Sequence, residues 1–144
     1  MTETYDPAMG AVQHPAILLD PDSKAHLRAL SGRLDKGPDR TIDRDLHALL
    51  YPQAGDRTPV PRYTASVDAA IRLIEAILPR WVHGYAYMPG ADADRATEVR
   101  AWVAGPGYIT DDHTDDYFQV DAAGAAVGLV LALMACLACD GRRT

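Results

Sequence analysis

Apolar positions recur at spacings of three and four in several stretches of the chain and alternate with polar ones in others. Leu27, Leu30 and Leu34 form the first helical stripe, with Lys24, Arg28 and Arg33 between them. Asp20-Pro21 ahead of it reads as an N-cap followed by proline at the first helical position. Lys36-Gly37-Pro38 ends that helix. Ile42, Leu46, Leu49 and Leu50 form a second stripe, starting from Asp39 or Thr41 and closing at Tyr51-Pro52. Asp43, Arg44, Asp45 and His47 lie off that stripe. Residues 52–62 hold Pro52, Gly55, Pro59 and Pro61 and read as a loop.

The third stripe is the clearest. Val67, Ala70, Ile71, Ile74, Ile77 and Leu78 repeat at three and four, and Pro79 stops them. Thr64 or Ser66 caps this helix, since either oxygen can accept from the free N–H groups of its first turn. Asp68 and Arg72 stand four apart, in the order that favours an ion pair. Trp81 to Met88 then alternates loosely and is aromatic, as a half-buried strand should be. Trp81, His83, Tyr85 and Tyr87 fall on one face. Val82, Gly84, Ala86 and Met88 fall on the other, where small residues would let a helix approach. Thr97 to Ala104 is a second strand, paired antiparallel across a short connection. Tyr117 to Val120 gives a short third strand. The last helix runs from about Ala122 to Cys139, with Asp121 as its cap.

The predicted order is three helices, two or three strands and a helix. It implies an α+β fold, a small antiparallel sheet with helices packed on its faces in the manner of an α/β/α sandwich. A chain of 144 residues fits one domain, here 20–144 behind a mobile arm at 1–19.

Ala122 to Cys139 carries no charge and approaches the roughly 20 residues that span a bilayer. Seven of its residues are Ala and two are Gly, and Asp121 and Asp140 bracket it. A helix buried on nearly all sides is the expected reading, and a tail anchor the alternative. The formal charge of −6 argues against non-specific binding to a nucleic acid polymer. Two cysteines in one apolar run make no disulfide framework, and a reducing cytoplasm is the expected setting. The N-terminus shows no secretory pattern.

Three groups of residues offer chemistry. Arg62, Tyr63, Arg80, Trp81, His83, Tyr85 and Arg100 combine rings that stack on a flat ligand with guanidinium forks that grip an anion. Trp81, His83 and Tyr85 share a strand face, and Arg100 or Trp102 is expected across from them. The opposing reading packs those rings against a helix or a second subunit. Asp111 to Asp116 is a dense carboxylate cluster, but its spacing lacks the alternating ligands, central Gly and closing Glu of an EF-hand. A solvated acidic loop at 110–116 and no bound metal are expected. Cys136-Leu-Ala-Cys139 spells C-x-x-C at a helix C-terminus, where the dipole opposes a thiolate. Ser66, His83 and Asp68 lack the surroundings of a hydrolase triad, and no phosphate-binding glycine loop occurs. No catalytic set and no cofactor are expected.

The words of this sequence resemble the phage ABA-sandwich domain, a family of short phage and prophage proteins. The resemblance is carried by Gly37-Pro38-Asp39-Arg40-Thr41-Ile42-Asp43-Arg44-Asp45-Leu46, by Pro61-Arg62-Tyr63-Thr64-Ala65-Ser66-Val67-Asp68-Ala69-Ala70, and by Val120-Asp121-Ala122-Ala123-Gly124-Ala125-Ala126. It covers about 37–139, and the Tyr63 segment is its most specific part. The chain departs from the family in a last helix without a polar or basic residue, and in the Asp-rich stretch 110–116. The resemblance implies a phage or prophage accessory protein with no general activity of its own. The arginines and rings add the expectation that it binds a small anionic, nucleotide-like ligand or a host protein, and the edges and aromatic surface of a small sheet add that of a homo-oligomer. The alternatives are an interaction module that blocks a host factor through its acidic surface, and a small hydrolase.

Overall fold

A computed structural model of the chain describes residues 19–34, 37–55, 57–88, 98–106 and 117–139. The expected arm, apart from Leu19, and the acidic loop at 110–116 lie outside the described residues. Among the described residues four helices and three strands follow in the order α1 (Pro21–Arg33), α2 (Arg40–Leu50), α3 (Val67–Ile77), β1 (Val82–Met88), β2 (Glu98–Ala104), β3 (Tyr117–Ala122) and α4 (Ala125–Ala138). The fold is α+β, with one antiparallel sheet in the order β1-β2-β3.

Each of the first three helices begins on a side-chain cap, which satisfies N–H groups that have no partner inside the helix. Asp20 accepts from Ser23 N at 2.7 Å and Asp39 accepts from Thr41 N at 2.9 Å. Ser66 caps α3 by accepting from Ala69 N at 3.1 Å. Asp121 does not cap α4. It belongs to β3, and Gly124 is the N-cap residue without a side-chain bond.

The last helix is the centre of the molecule. Val127, Leu129, Val130, Leu133 and Met134 are all buried, because one side of α4 meets the sheet and the other meets α1 and α3. Its approach to the sheet is close: a Cβ on Gly128 would stand 3.0 Å from the Ala101 Cβ. At its C-terminus the carbonyls left without helical partners accept from α1, Arg28 Nη2 at 2.7 Å from Ala138 O and Lys24 Nζ at 3.3 Å from Cys139 O. The charges that suit this helix end therefore come from α1. No helix of the described residues is long and apolar enough to cross a membrane.

The register pairs Ala101 with Tyr85 and with Val120, and Val103 with His83 and with Phe118. That sets His83, Tyr85 and Tyr87 on the face that α4 covers. Val82, Gly84, Ala86 and Met88 lie on the other face, where no helix packs among the described residues. The expectation of a helix on those small residues fails for a specific reason. Gly84 is paired with Trp102, and the indole occupies the space itself: a Cβ on Gly84 would fall 2.4 Å from Trp102 Cζ2.

Candidate functional site

The sequence-predicted residues fall into three separate places. Trp81 is 6 % exposed and belongs to the core, its ring stacked on Phe118 at 6.5 Å. Arg80 precedes it, exposed, in the turn from α3 into β1. His83 follows on the α4 side, its Nε2 at 3.8 Å from Glu75 Oε2 on α3. Tyr85 is half-exposed and meets Tyr87 edge to face at 5.8 Å.

Arg100 is not across from them. Its partner in β1 is Ala86, so it points from the opposite face of the sheet, as does Trp102. There Arg100 holds Asp121 through Nε at 2.9 Å and Nη2 at 3.3 Å. The hydrogen bond from Arg100 keeps the Asp121 carboxyl below its ordinary range, and the carboxylate raises the guanidinium in turn. An anionic ligand would first have to displace that carboxylate.

Arg62 and Tyr63 sit apart from both groups, at the turn before α3. A buried polar cluster fixes this turn. Asp43 Oδ1 accepts from Thr64 N and from Thr64 Oγ1, both at 2.8 Å, and Asp43 Oδ2 stands 3.2 Å from Arg40 Nη1. Arg40 also donates to Val60 O at 2.6 Å and to Pro61 O at 3.0 Å. The cluster fastens the 60–64 segment to α2, so Thr64 serves this latch rather than a helix cap. Asp43 is 1 % exposed, although it lies off the apolar stripe.

The latch sets Tyr63 against α2. Its hydroxyl is 2.7 Å from His47 Nδ1, and the His47 ring lies 5.0 Å from that of Tyr51. Burial, with smaller contributions from Tyr51 and Asp43, pushes the Tyr63 phenol far above its ordinary value, so it stays protonated and neutral. His47 Nε2 is buried and without a hydrogen-bond partner among the described residues. Leaving such a group unpaired costs about 1–3 kcal/mol.

Beside this group lies an open cleft of about 180 Å³, lined by Tyr51, Pro61, Tyr63, Ala69, Arg72 and Leu73. Two phenol rings, an aliphatic floor and one exposed guanidinium meet there. Arg72 forms no ion pair with Asp68 among the described residues, so its charge is available to the cleft. Of the sequence-predicted residues, Tyr63 lines this cleft and Arg62 is next to it in the chain. Sequence reasoning missed His47, Tyr51 and the placement of Arg72. The histidine sits one turn beyond Asp43 on the same helix, which is the one signal that would have joined it to Asp43.

Among the described residues no other chemistry assembles. Ser66 is committed to capping α3 and His83 faces Glu75. Cys136 and Cys139 are free thiols, the first buried. Among the described residues no group of His, Cys, Asp or Glu is placed to hold a metal ion. Comparison of the chain with protein-family models, with curated proteins and with solved structures finds no match.

Proposed function

We propose that the protein is a non-catalytic phage or prophage accessory protein that binds a small, flat, anionic molecule in the Tyr63 cleft. The supporting observation is the cleft wall itself, in which Tyr51 and Tyr63 stand with an exposed Arg72. The half-buried Tyr51 ring can stack on a planar group, Tyr63 backs the wall, and a guanidinium fork takes up a phosphate or carboxylate. At about 180 Å³ the cleft is smaller than the roughly 300–1,000 Å³ that encloses a drug-sized ligand. It fits one ring or one anionic group of a nucleotide-like molecule, with the remainder in solvent. Tyr63 contributes as a neutral wall and hydrogen-bonding group, since its raised pKa removes it as a base at ordinary pH.

The test is native mass spectrometry of the protein taken directly from cells, followed by titration with nucleoside monophosphates. The expected result is a retained small-molecule mass, and probe affinity that falls at least about tenfold in Arg72→Ala, the loss of a charge-assisted bond. Arg100→Ala is expected to bind as the parent does. Equal binding by Arg72→Ala, or absence of both the retained mass and probe binding, overturns the reading. Loss in Arg100→Ala alone would return the site to the sheet.

A further inference from the structure

The three exposed large apolar side chains among the described residues are Val82 (45 %), Tyr85 (37 %) and Tyr87 (66 %), and all belong to β1. This strand is an edge of the sheet, with β2 on one side and no strand on the other among the described residues. Natural proteins protect such an edge with charge, proline or a bulge. Over seven residues, Val-His-Gly-Tyr-Ala-Tyr-Met, β1 holds no Lys, Arg, Asp, Glu or Pro, and its pairing with β2 is continuous without a bulge.

We infer that β1 pairs antiparallel with β1 of a second copy, joining two three-stranded sheets into one of six strands. The strand's own order selects that occupant. With the two-fold axis at Tyr85, Val82 meets Met88 of the second copy, His83 meets Tyr87, Gly84 meets Ala86, and Tyr85 meets Tyr85. Small residues face small ones and large face large, on both faces of the new sheet. An isologous contact requires this kind of self-matching. Each copy carries −6, which opposes self-association in general, but β1 brings no formal charge against its twin, so this contact adds no like-charge pair. On the α4 side, the exposed Tyr85–Tyr87 pairs of the two copies close into one aromatic row that removes both from solvent. Seven residues a side fall short of a standard interface of roughly 1,600 Å², so the dimer is expected to be micromolar and reversible. This contact is independent of the Tyr63 cleft.

Sedimentation equilibrium over a concentration series tests it, with Tyr85→Lys and Tyr85→Glu prepared separately. Parent chains should dimerise, each variant alone should be at least about tenfold weaker through like charges meeting at the axis, and an equimolar mixture should recover the dimer. Tyr85→Cys adds a check on register. Paired Cα atoms lie about 4.5–5.5 Å apart, within disulfide reach, so it should cross-link on mild oxidation while Tyr87→Cys should not. Circular dichroism confirms that each variant is folded. A parent chain that stays monomeric near millimolar concentration overturns the inference and leaves the edge to a strand from another protein. A dimer indifferent to Tyr85→Lys, or a variant mixture that fails to recover it, overturns it equally.

Discussion

Tyr63 and Tyr87 stand at opposite extremes of exposure in one molecule. Tyr63 is 3 % exposed, its hydroxyl bonded to His47, within a segment that Asp43, Thr64 and Arg40 fasten to α2. Tyr87 is 66 % exposed at the rim of the sheet, with Tyr85 as its ring neighbour. Around Tyr63 the polar groups are fixed by one another, which gives a cleft wall of defined shape. Around Tyr87 the backbone edge and the rings have no partner among the described residues beyond β2 and each other. The difference teaches where to look for binding in a protein of this size. A preorganised pocket points to a small ligand, because little ordering is left to be done. An unfinished edge points to another polypeptide, because a strand supplies partners in register to a row of N–H and C=O groups.

The comparison breaks most completely at Asp43. Asp43→Ala strips acceptors from the Thr64 N–H and hydroxyl and removes the carboxylate beside Arg40. Each lost partner leaves a polar group with its desolvation uncompensated. A stability loss of about 3 kcal/mol is expected in urea unfolding, and Asp43→Asn should cost about 1 kcal/mol because one oxygen can still accept from Thr64. If both variants unfold with the parent midpoint, the latch does not hold the Tyr63 wall.

The sheet side breaks next, at Gly84. A methyl group there meets the Trp102 ring at 2.4 Å, and the ring must move. Gly84→Ala is expected to cost about 2 kcal/mol as an overpacked contact. In a Trp102→Leu background the same change should cost well under half as much, a coupling that a double-mutant cycle measures. Equal cost in both backgrounds would mean that the strand resists alanine for a reason other than the indole.

How far each region is legible in the sequence follows from the length scale of its physics. The helices were readable because caps and apolar stripes are local: Asp39, Ser66 and the Ile74–Ile77 stripe act within one or two turns. Strand pairing was readable for β1 and β2, joined by a short connection. The side of the sheet taken by α4 was not, because both faces of β1 carry apolar residues and only the approach of Gly128 to Ala101 decides between them. The grouping of Arg100 with Tyr85 failed by register, since adjacent positions in a strand face opposite ways. Asp43 lies off the apolar stripe, and its role depends on Thr64, 21 residues further on. The Tyr63 segment stood out, but the contacts that make it a wall, from His47 and Tyr51, come from a different helix.

The raised Tyr63 phenol supplies a smaller, pH-dependent test of the same wall. A group whose folded pKa exceeds its unfolded value, about 10 for tyrosine, contributes stability in full below that unfolded value. The contribution is lost as pH rises through about 10 toward the folded value, because the unfolded chain releases its proton first. Tyr63→Phe should be about 1 kcal/mol less stable than the parent at neutral pH, through the lost bond to His47. That gap should shrink in urea unfolding performed at stepwise higher pH above 10. A gap that stays constant would mean that the phenol is not shielded as its position implies.

The smallest effect is expected at Arg80, in the turn between the two regions. Trp81 N donates to Leu78 O at 3.2 Å across Pro79 and Arg80, and Arg80 has φ of 77°. Proline second and a positive φ third are the marks of a type II turn, which favours glycine in that third place. An L-residue held there loses about 1–2 kcal/mol to contact between its Cβ and the backbone. Glycine removes that cost but has more freedom to lose on folding, roughly 0.5–1 kcal/mol. Arg80→Gly should therefore stabilise the chain by about 0.5 kcal/mol, seen as a small rise in the urea midpoint at unchanged slope. Probe binding at the Tyr63 cleft should not change, because Arg80 does not line it. A stabilised variant that also loses binding would mean that the strained arginine is held in place for the ligand, and would move the binding site from α3 to the start of β1.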